Sequence, residues 1–339
     1  MMVVTLFVKQ DDPAAQTVVE MLNHLRDEYP HQIAIVAIDK DEGLRAVYEK
    51  DAPVVQVGPY RLGSPFREKD LRVTLGAALD RARHLNAVGD ENYSKRVERG
   101  RKVSTADRIS LWLSNRYMWL INFFIFLYVG LPFLAPLLAL NGIRAPARIL
   151  YTIYSPLCHQ LTFRSWFLFG MQPYYPRSLA EVQNFASYEQ LFSVSPTDLA
   201  FARQFTGMEE IGYGAGRIGY KVALCQRDVA IYASLLGFGL IFSLSGRKIK
   251  SLPWYLWVIV GLIPIGLDGV SQLPSLLSFL SELHVFREST PFLRTITGVL
   301  FGGTTGWYLF PMIEESMRET RTLLSQKRTI VAQIQTDGN

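Results

Sequence analysis

The chain has 339 residues, 49% of them hydrophobic, and carries 35 Lys and Arg against 30 Asp and Glu, a formal charge of +5 at pH 7. That excess is modest and lies beside apolar runs, so membrane topology accounts for it better than nucleic-acid binding. Two cysteines are too few for a disulfide framework.

The opening Met1-Met2-Val3-Val4-Thr5-Leu6-Phe7-Val8 is apolar, but it is too short for a signal peptide and lacks a basic n-region, so no cleavable leader is expected. Residues 2–8 alternate as a strand should. After Asp11-Asp12-Pro13, residues 14–29 place Ala15, Val18, Val19, Leu22 and Leu25 at helical spacing. Residues 33–38 predict a second strand, residues 44–50 a short helix, and residues 52–57 a third strand opened by Pro53. A turn at Gly58-Pro59-Tyr60, a return strand over 62–66 and a helix over 70–83 follow. Residues 89–115 read as a basic juxtamembrane linker.

The order β-α-β-α-β-β-α over residues 1–88 resembles a glutaredoxin or thioredoxin-like fold, which implies that Pro53 is cis and faces an active site. The family's Cys-x-x-Cys, or single cysteine, would fall in Lys9-Gln10-Asp11-Asp12-Pro13-Ala14-Ala15-Gln16, where there is none. Without a thiolate there is no nucleophile for disulfide exchange. The expectation is a redox-dead domain that docks a cytoplasmic protein partner or regulates, with a mere solubility or assembly appendage as the alternative.

Residues 116–313 read as an α-helical polytopic membrane domain. Spans are expected at 117–140, 222–245, 252–270 and 291–313, with aromatic residues near their ends. Residues 147–170 are broken by Pro156, His159 and Arg164 and suit a re-entrant or interfacial helix pair better than a clean span. Basic residues precede the first span, join the second to the third at Arg247-Lys248-Ile249-Lys250, and follow the last. The positive-inside rule then gives four spans in the inner, cytoplasmic membrane with both termini cytoplasmic. Residues 171–221 read as an exoplasmic insertion whose aromatic, polar stretch lids the site, and 314–339 as a cytoplasmic amphipathic tail continuing the last span.

In that topology Cys158-His159-Gln160, Cys225-Gln226-Arg227-Asp228, Asp268-Gly269 and Arg294 converge on the exoplasmic face. Ionisable groups at membrane depth are functional candidates by default. These blocks, with Arg164-Ser165 after the first, resemble an uncharacterised prokaryotic membrane family of unknown function over about residues 115–313. The resemblance supplies no reaction.

Thiolates from two segments with an imidazole and a carboxylate make a credible zinc set: Cys158, His159, Cys225 and Asp268. Cys158 and His159 are adjacent and would point about 100° apart on a regular helix, so both reach one ion only if Pro156 opens the backbone. The alternatives are an exoplasmic Cys158–Cys225 disulfide, or free buried cysteines. Arg164, Arg227, Arg287 and Arg294 suit bidentate binding of a phosphate, or equally ion pairing with acids such as Asp228 and Asp268. Asp268 reads as ligand, general base or ion-pair partner, and His159 as ligand or base.

Two function classes follow. The first is metal-dependent hydrolysis of a lipid or lipid-linked substrate, with Arg164, Arg227 and Arg294 holding the anion and His159 or Asp268 as general base. The second is a non-enzymatic scaffold or sensor with a structural disulfide. Gly298-x-x-x-Gly302 reads as a helix-packing face, Gly212-x-Gly214-x-Gly216 as a flexible loop, and His24, His31, His84 and His284 as surface residues.

Overall fold

A computed structural model describes residues 2–40, 42–192, 199–209, 217–272 and 288–337. Arg287, His284 and the Gly212–Gly216 stretch lie outside the described residues. The chain divides into two compact units, Met1–Tyr117 with Glu315–Asn339, and Met118–Glu314.

In the first unit, β1 (Met2–Val8), α1 (Pro13–His24), β2 (His31–Ala37), α2 (Glu42–Tyr48), β3 (Val54–Val57), β4 (Tyr60–Gly63) and α3 (Glu68–Ala87) follow one another. The sheet order is β2-β1-β3-β4. β1 runs parallel to β2 and antiparallel to β3, and β3 to β4 is an antiparallel hairpin. The period of two along a strand separates the core into two layers. Val4, Leu6 and Val8 pack with Leu22, Leu71 and Leu75 of α1 and α3. Phe7 turns the other way, onto Val36, Leu44 and Val54, and its ring stacks on Tyr48 of α2 with centroids 4.1 Å apart.

α1 begins where the Asp12 carboxylate accepts a hydrogen bond from the Ala14 amide at 2.9 Å and Pro13 takes the first helical position. The Ala52–Pro53 peptide is cis. One expectation fails here. His31 is fully buried at the head of β2, its Nδ1 bonded to the Tyr29 carbonyl at 2.5 Å, because the strand it opens faces inward at that position.

Also in the first unit are α4 (Glu91–Gly100), the first turns of α5 (Thr105–Leu140), and the end of the terminal helix Pro291–Asp337. Gln333 of that helix donates to the Ile35 carbonyl at 2.8 Å and accepts from its amide at 2.7 Å, so one amide side chain caps the free edge of β2. Lys327 donates to Asp107 at 2.7 Å.

The second unit holds the rest of α5, α6 (Arg144–Tyr154), β5 (Ser165–Leu168), α7 (Tyr188–Phe192), α8 (Leu199–Gln204), β6 (Tyr220–Cys225), α9 (Gln226–Leu244), the helix Trp254–Val270 and the start of the terminal helix. Among the described residues two helices are long and apolar enough to cross a membrane, α5 with 36 residues and α9 with 19. Trp254–Val270 is a shorter apolar helix with a π-helical stretch at Trp257–Leu262.

The segment expected to form a helix pair does not. α6 has 11 residues, and at about 1.5 Å per residue it reaches roughly half of a ~30 Å hydrocarbon layer. Beyond Ser155 come a turn, a 3₁₀ turn at Thr162–Arg164, and β5, which pairs antiparallel with β6. The span expected to open at Val222 therefore starts at Gln226, since the residues before it are committed to a strand.

The insertion builds a small core of its own. Tyr175, Tyr188, Phe192 and Phe205 cluster on Phe163 and Phe167 of the 3₁₀ turn and β5.

α9 packs tightly on the terminal helix. A Cβ at Gly298 would stand 2.8 Å from both Ala230 Cβ and the Arg227 carbonyl, and one at Gly302 would run into the Ile231 carbonyl and Ser234 Oγ.

Candidate functional site

The β5–β6 ladder sets Ser165 opposite Cys225, and Gln226 Nε2 reinforces it by donating to the Ser165 carbonyl at 3.1 Å. Cys225 ends β6 and caps α9, its Sγ accepting from the Asp228 amide at 3.5 Å. Asp228 sits in the first turn of α9, where the helix dipole favours negative charge.

Cys158 arrives from the other side. Its amide closes the last turn after α6 by donating to the Tyr154 carbonyl at 2.9 Å, and the chain then reverses at Gln160, whose φ is 51°. That reversal is pinned from two sides. Gln160 Nε2 donates to the Tyr151 carbonyl at 2.9 Å, and Lys221 Nζ donates to the Gln160 carbonyl at 2.7 Å and the Arg203 carbonyl at 2.9 Å.

The result is a compact donor group. One ligand atom from each of Cys158, Cys225 and Asp228 lies within 4.8 Å of the others. Both cysteines are free, with no disulfide between them. A hydrogen bond from the Cys225 thiol lowers the Cys158 pKa, while holding that proton and being buried pushes Cys225 up. Lys221, fully buried, has its pKa pushed down to about 7 by desolvation.

A cavity of about 360 Å³ opens beside this group, lined among others by His159, Arg164, Arg227 and Arg294. The basic residues are held by acids set behind them. Arg227 pairs with Asp268, which is 2% exposed and also accepts from Ser289 Oγ at 3.0 Å. Glu288 is buried among three guanidiniums: it pairs with Arg294, with Arg164 at 3.0 Å and with Arg177 at 3.9 Å. Arg294 further donates to Gln272 Oε1 at 3.2 Å.

The sequence-derived residues thus fall into two sets. Cys158 and Cys225 lie together. The carboxylate that joins them is Asp228, while Asp268 is engaged by Arg227 and Ser289. His159 is exposed at the cavity wall and stands outside the donor group. Arg164, Arg227 and Arg294 do come together on one cavity.

Sequence reasoning missed Lys221 and Glu288 as structural parts of the site, and named Gln160 in its block without a role. Lys221 carried a signal, a lone cation inside the apolar run Ile218–Leu224, and Cys225-x-x-Asp228 has the i, i+3 spacing that joins groups at a helix start.

Residues 218–308 match the family described as a predicted membrane protein, DUF2085. An uncharacterized protein of Methanocaldococcus jannaschii is 29% identical over 205 residues, which cover 58% of this chain and 90% of the relative. No solved structure matches the chain. The family match includes Cys225, Arg227, Asp228, Asp268, Glu288 and Arg294, and leaves Cys158 and residues 1–88 outside it.

Proposed function

We propose that this is a multi-pass membrane protein whose site at the head of α9 holds a zinc ion and hydrolyses a phosphate-bearing lipid or lipid-linked substrate. The observation that carries the reading is the approach of Cys158, Cys225 and Asp228 to within 4.8 Å of one another. Three protein donors, two of them sulfur, fit zinc and leave a fourth position free, where the ion supplies Lewis-acid chemistry.

The chain's own residues supply the rest. Arg164, Arg227 and Arg294 line the adjacent cavity and orient an anionic group there. Asp268 and Glu288 hold those guanidiniums in place from behind, so Asp268 positions Arg227 instead of taking a proton. His159, exposed on the same cavity, is the group placed to move a proton.

Four spans with cytoplasmic termini are supported by the two long apolar helices, by the shorter helix Trp254–Val270 and by the basic residues flanking them. The sheet order β2-β1-β3-β4 supports a thioredoxin-like N-terminal domain. With no cysteine between β1 and α1, that domain docks a cytoplasmic protein partner.

The test is elemental mass spectrometry of the full chain purified in detergent with no metal added. About one zinc per chain is expected. A metal-free protein that is also inert toward phospholipids would leave the scaffold or sensor reading in its place. The two adjacent free thiols favour that second reading if they oxidise to a disulfide, which non-reducing electrophoresis after thiol labelling detects.

A further inference from the structure

A groove of about 1030 Å³ runs between the first turns of α5 and the end of the terminal helix, wholly within the first unit. Its charged lining is mostly basic. Lys102, Arg108, Arg116, Lys327 and Arg328 face a single carboxylate, Asp107. Two of the five cations already have partners, Lys327 on Asp107 at 2.7 Å and Lys102 on Glu98 at 3.2 Å. Arg108, Arg116 and Arg328 are exposed and have no carboxylate partner among the described residues.

Arg108, Trp112 and Arg116 are spaced by four, so they stack on one face of α5, and Trp112 is 56% exposed. Arg116 directly precedes Tyr117, where the apolar run begins. Four residues of helix rise about 6 Å, and a headgroup layer is about 5–7 Å deep, so Arg116 and Trp112 both stand in that layer if the run enters a bilayer. Tryptophan is at home at that level. A positive-inside signal alone requires cations only near the span end. It does not require three unpaired guanidiniums on a common groove with an exposed indole between two of them.

We infer that this groove is a seat for an anionic phospholipid headgroup, with Arg108 and Arg116 reaching its phosphate from either side of Trp112, Arg328 joining them across the groove, and the Trp112 indole in the headgroup layer. The inference rests on the membrane reading of α5 and is independent of the metal site.

The test is native mass spectrometry of the full chain released from micelles containing equimolar phosphatidylglycerol and phosphatidylcholine. Wild type should retain the anionic lipid over the zwitterionic one by about fivefold or more, and the triple variant Arg108→Gln, Arg116→Gln, Arg328→Gln should fall to near parity. The Lys triple variant, which keeps the charge, should retain most of the preference and controls for folding. A second readout is quenching of tryptophan fluorescence by brominated phosphatidylglycerol, expected in wild type and reduced in Trp112→Phe. Parity in wild type, or an unchanged preference in the Gln triple variant, would overturn the seat. So would full displacement of the lipid by inorganic phosphate, which would assign the groove to a soluble anion. Release of the chain from membranes by alkaline carbonate would overturn the membrane reading itself, a result distinct from loss of lipid preference in a chain that stays embedded.

Discussion

The Asp268 carboxylate is bound by the guanidinium of Arg227, two residues beyond Cys225, while Asp228, one residue further on, turns to the cysteines. Neighbouring positions at the head of α9 thus serve opposite ends of the site. Two isosteric variants separate the roles. Asp228→Asn should lose most of the bound zinc, and its unfolding temperature should no longer rise when zinc is added. Asp268→Asn should keep its zinc but lose about 3–5 kcal/mol of stability, because Arg227 would be left without its buried counter-charge. Metal content and thermal unfolding of both purified variants check this, and zinc loss in Asp268→Asn alone would reverse the assignment.

Lys221 predicts a pH dependence. The folded chain releases its proton near pH 7, whereas an unfolded chain keeps it to the ordinary value of 10.5. Between those values the unfolded state binds more protons, so stability rises with pH by up to ~1.4 kcal/mol per unit. Below about pH 7 both states are protonated and the contribution is constant and at its least favourable. Thermal unfolding of wild type should therefore move upward from pH 7 to 9, and Lys221→Met should show a shallower slope. Cys158 interacts electrostatically with Lys221, so the pair of slopes is compared on a Cys158→Ala background, where the lysine titrates without that thiol. Equal slopes would mean that Lys221 stays charged throughout.

The glycine face gives a paired test. A methyl at Gly302 meets backbone and side-chain oxygens of α9, whereas a Cβ at Gly303 has nothing within 4 Å. Gly302→Ala should cost about 1–3 kcal/mol by forcing the two helices apart. Gly303→Ala should be neutral or gain up to about 1 kcal/mol, as alanine does over glycine in a helix. Detergent-solubilised thermal unfolding of both, side by side, reads the contrast.

What the sequence made legible follows physical range. The period-two strands and period-3.6 helices of residues 2–87 were readable because each buries its own face, and the packing role of Gly298 and Gly302 because small residues at that spacing have one common use. The pairing of β5 with β6 was not readable. Its strands are separated by the 51 residues between Leu168 and Tyr220, β5 has only four residues, and β6 does not alternate, since four consecutive residues of it are buried. That one long-range ladder decides which carboxylate meets the cysteines. With Cys225 assigned to a helix, Asp268 reads as the ligand and Asp228 only as an acid that pairs with an arginine. Once Cys225 ends a strand and caps α9, Asp228 is brought round to it. Arginine clustering was visible, but the acid behind it was not. Glu288 lies between two apolar segments, where sequence alone gives no sign of burial.

Glu288 carries the sharpest electrostatic prediction. It is 8% exposed and faces Arg294, itself 3% exposed, together with Arg164 and Arg177. Glu288→Gln keeps the shape and removes the only negative charge that these three share among the described ion pairs. Guanidiniums brought together without it repel, so the variant should lose about 3–5 kcal/mol of stability. The same change makes the cavity beside Cys158 and Cys225 a stronger anion trap. Any ligand that binds only the folded state stabilises it by RT ln(1 + [L]/Kd), so added inorganic phosphate should raise the unfolding temperature of Glu288→Gln more than that of wild type. Chloride at equal ionic strength controls for screening, which acts on exposed charges and much less on these. A variant that is destabilised but gains nothing from phosphate would show that the arginines serve packing alone, and would take the anion-holding role away from Arg164 and Arg294.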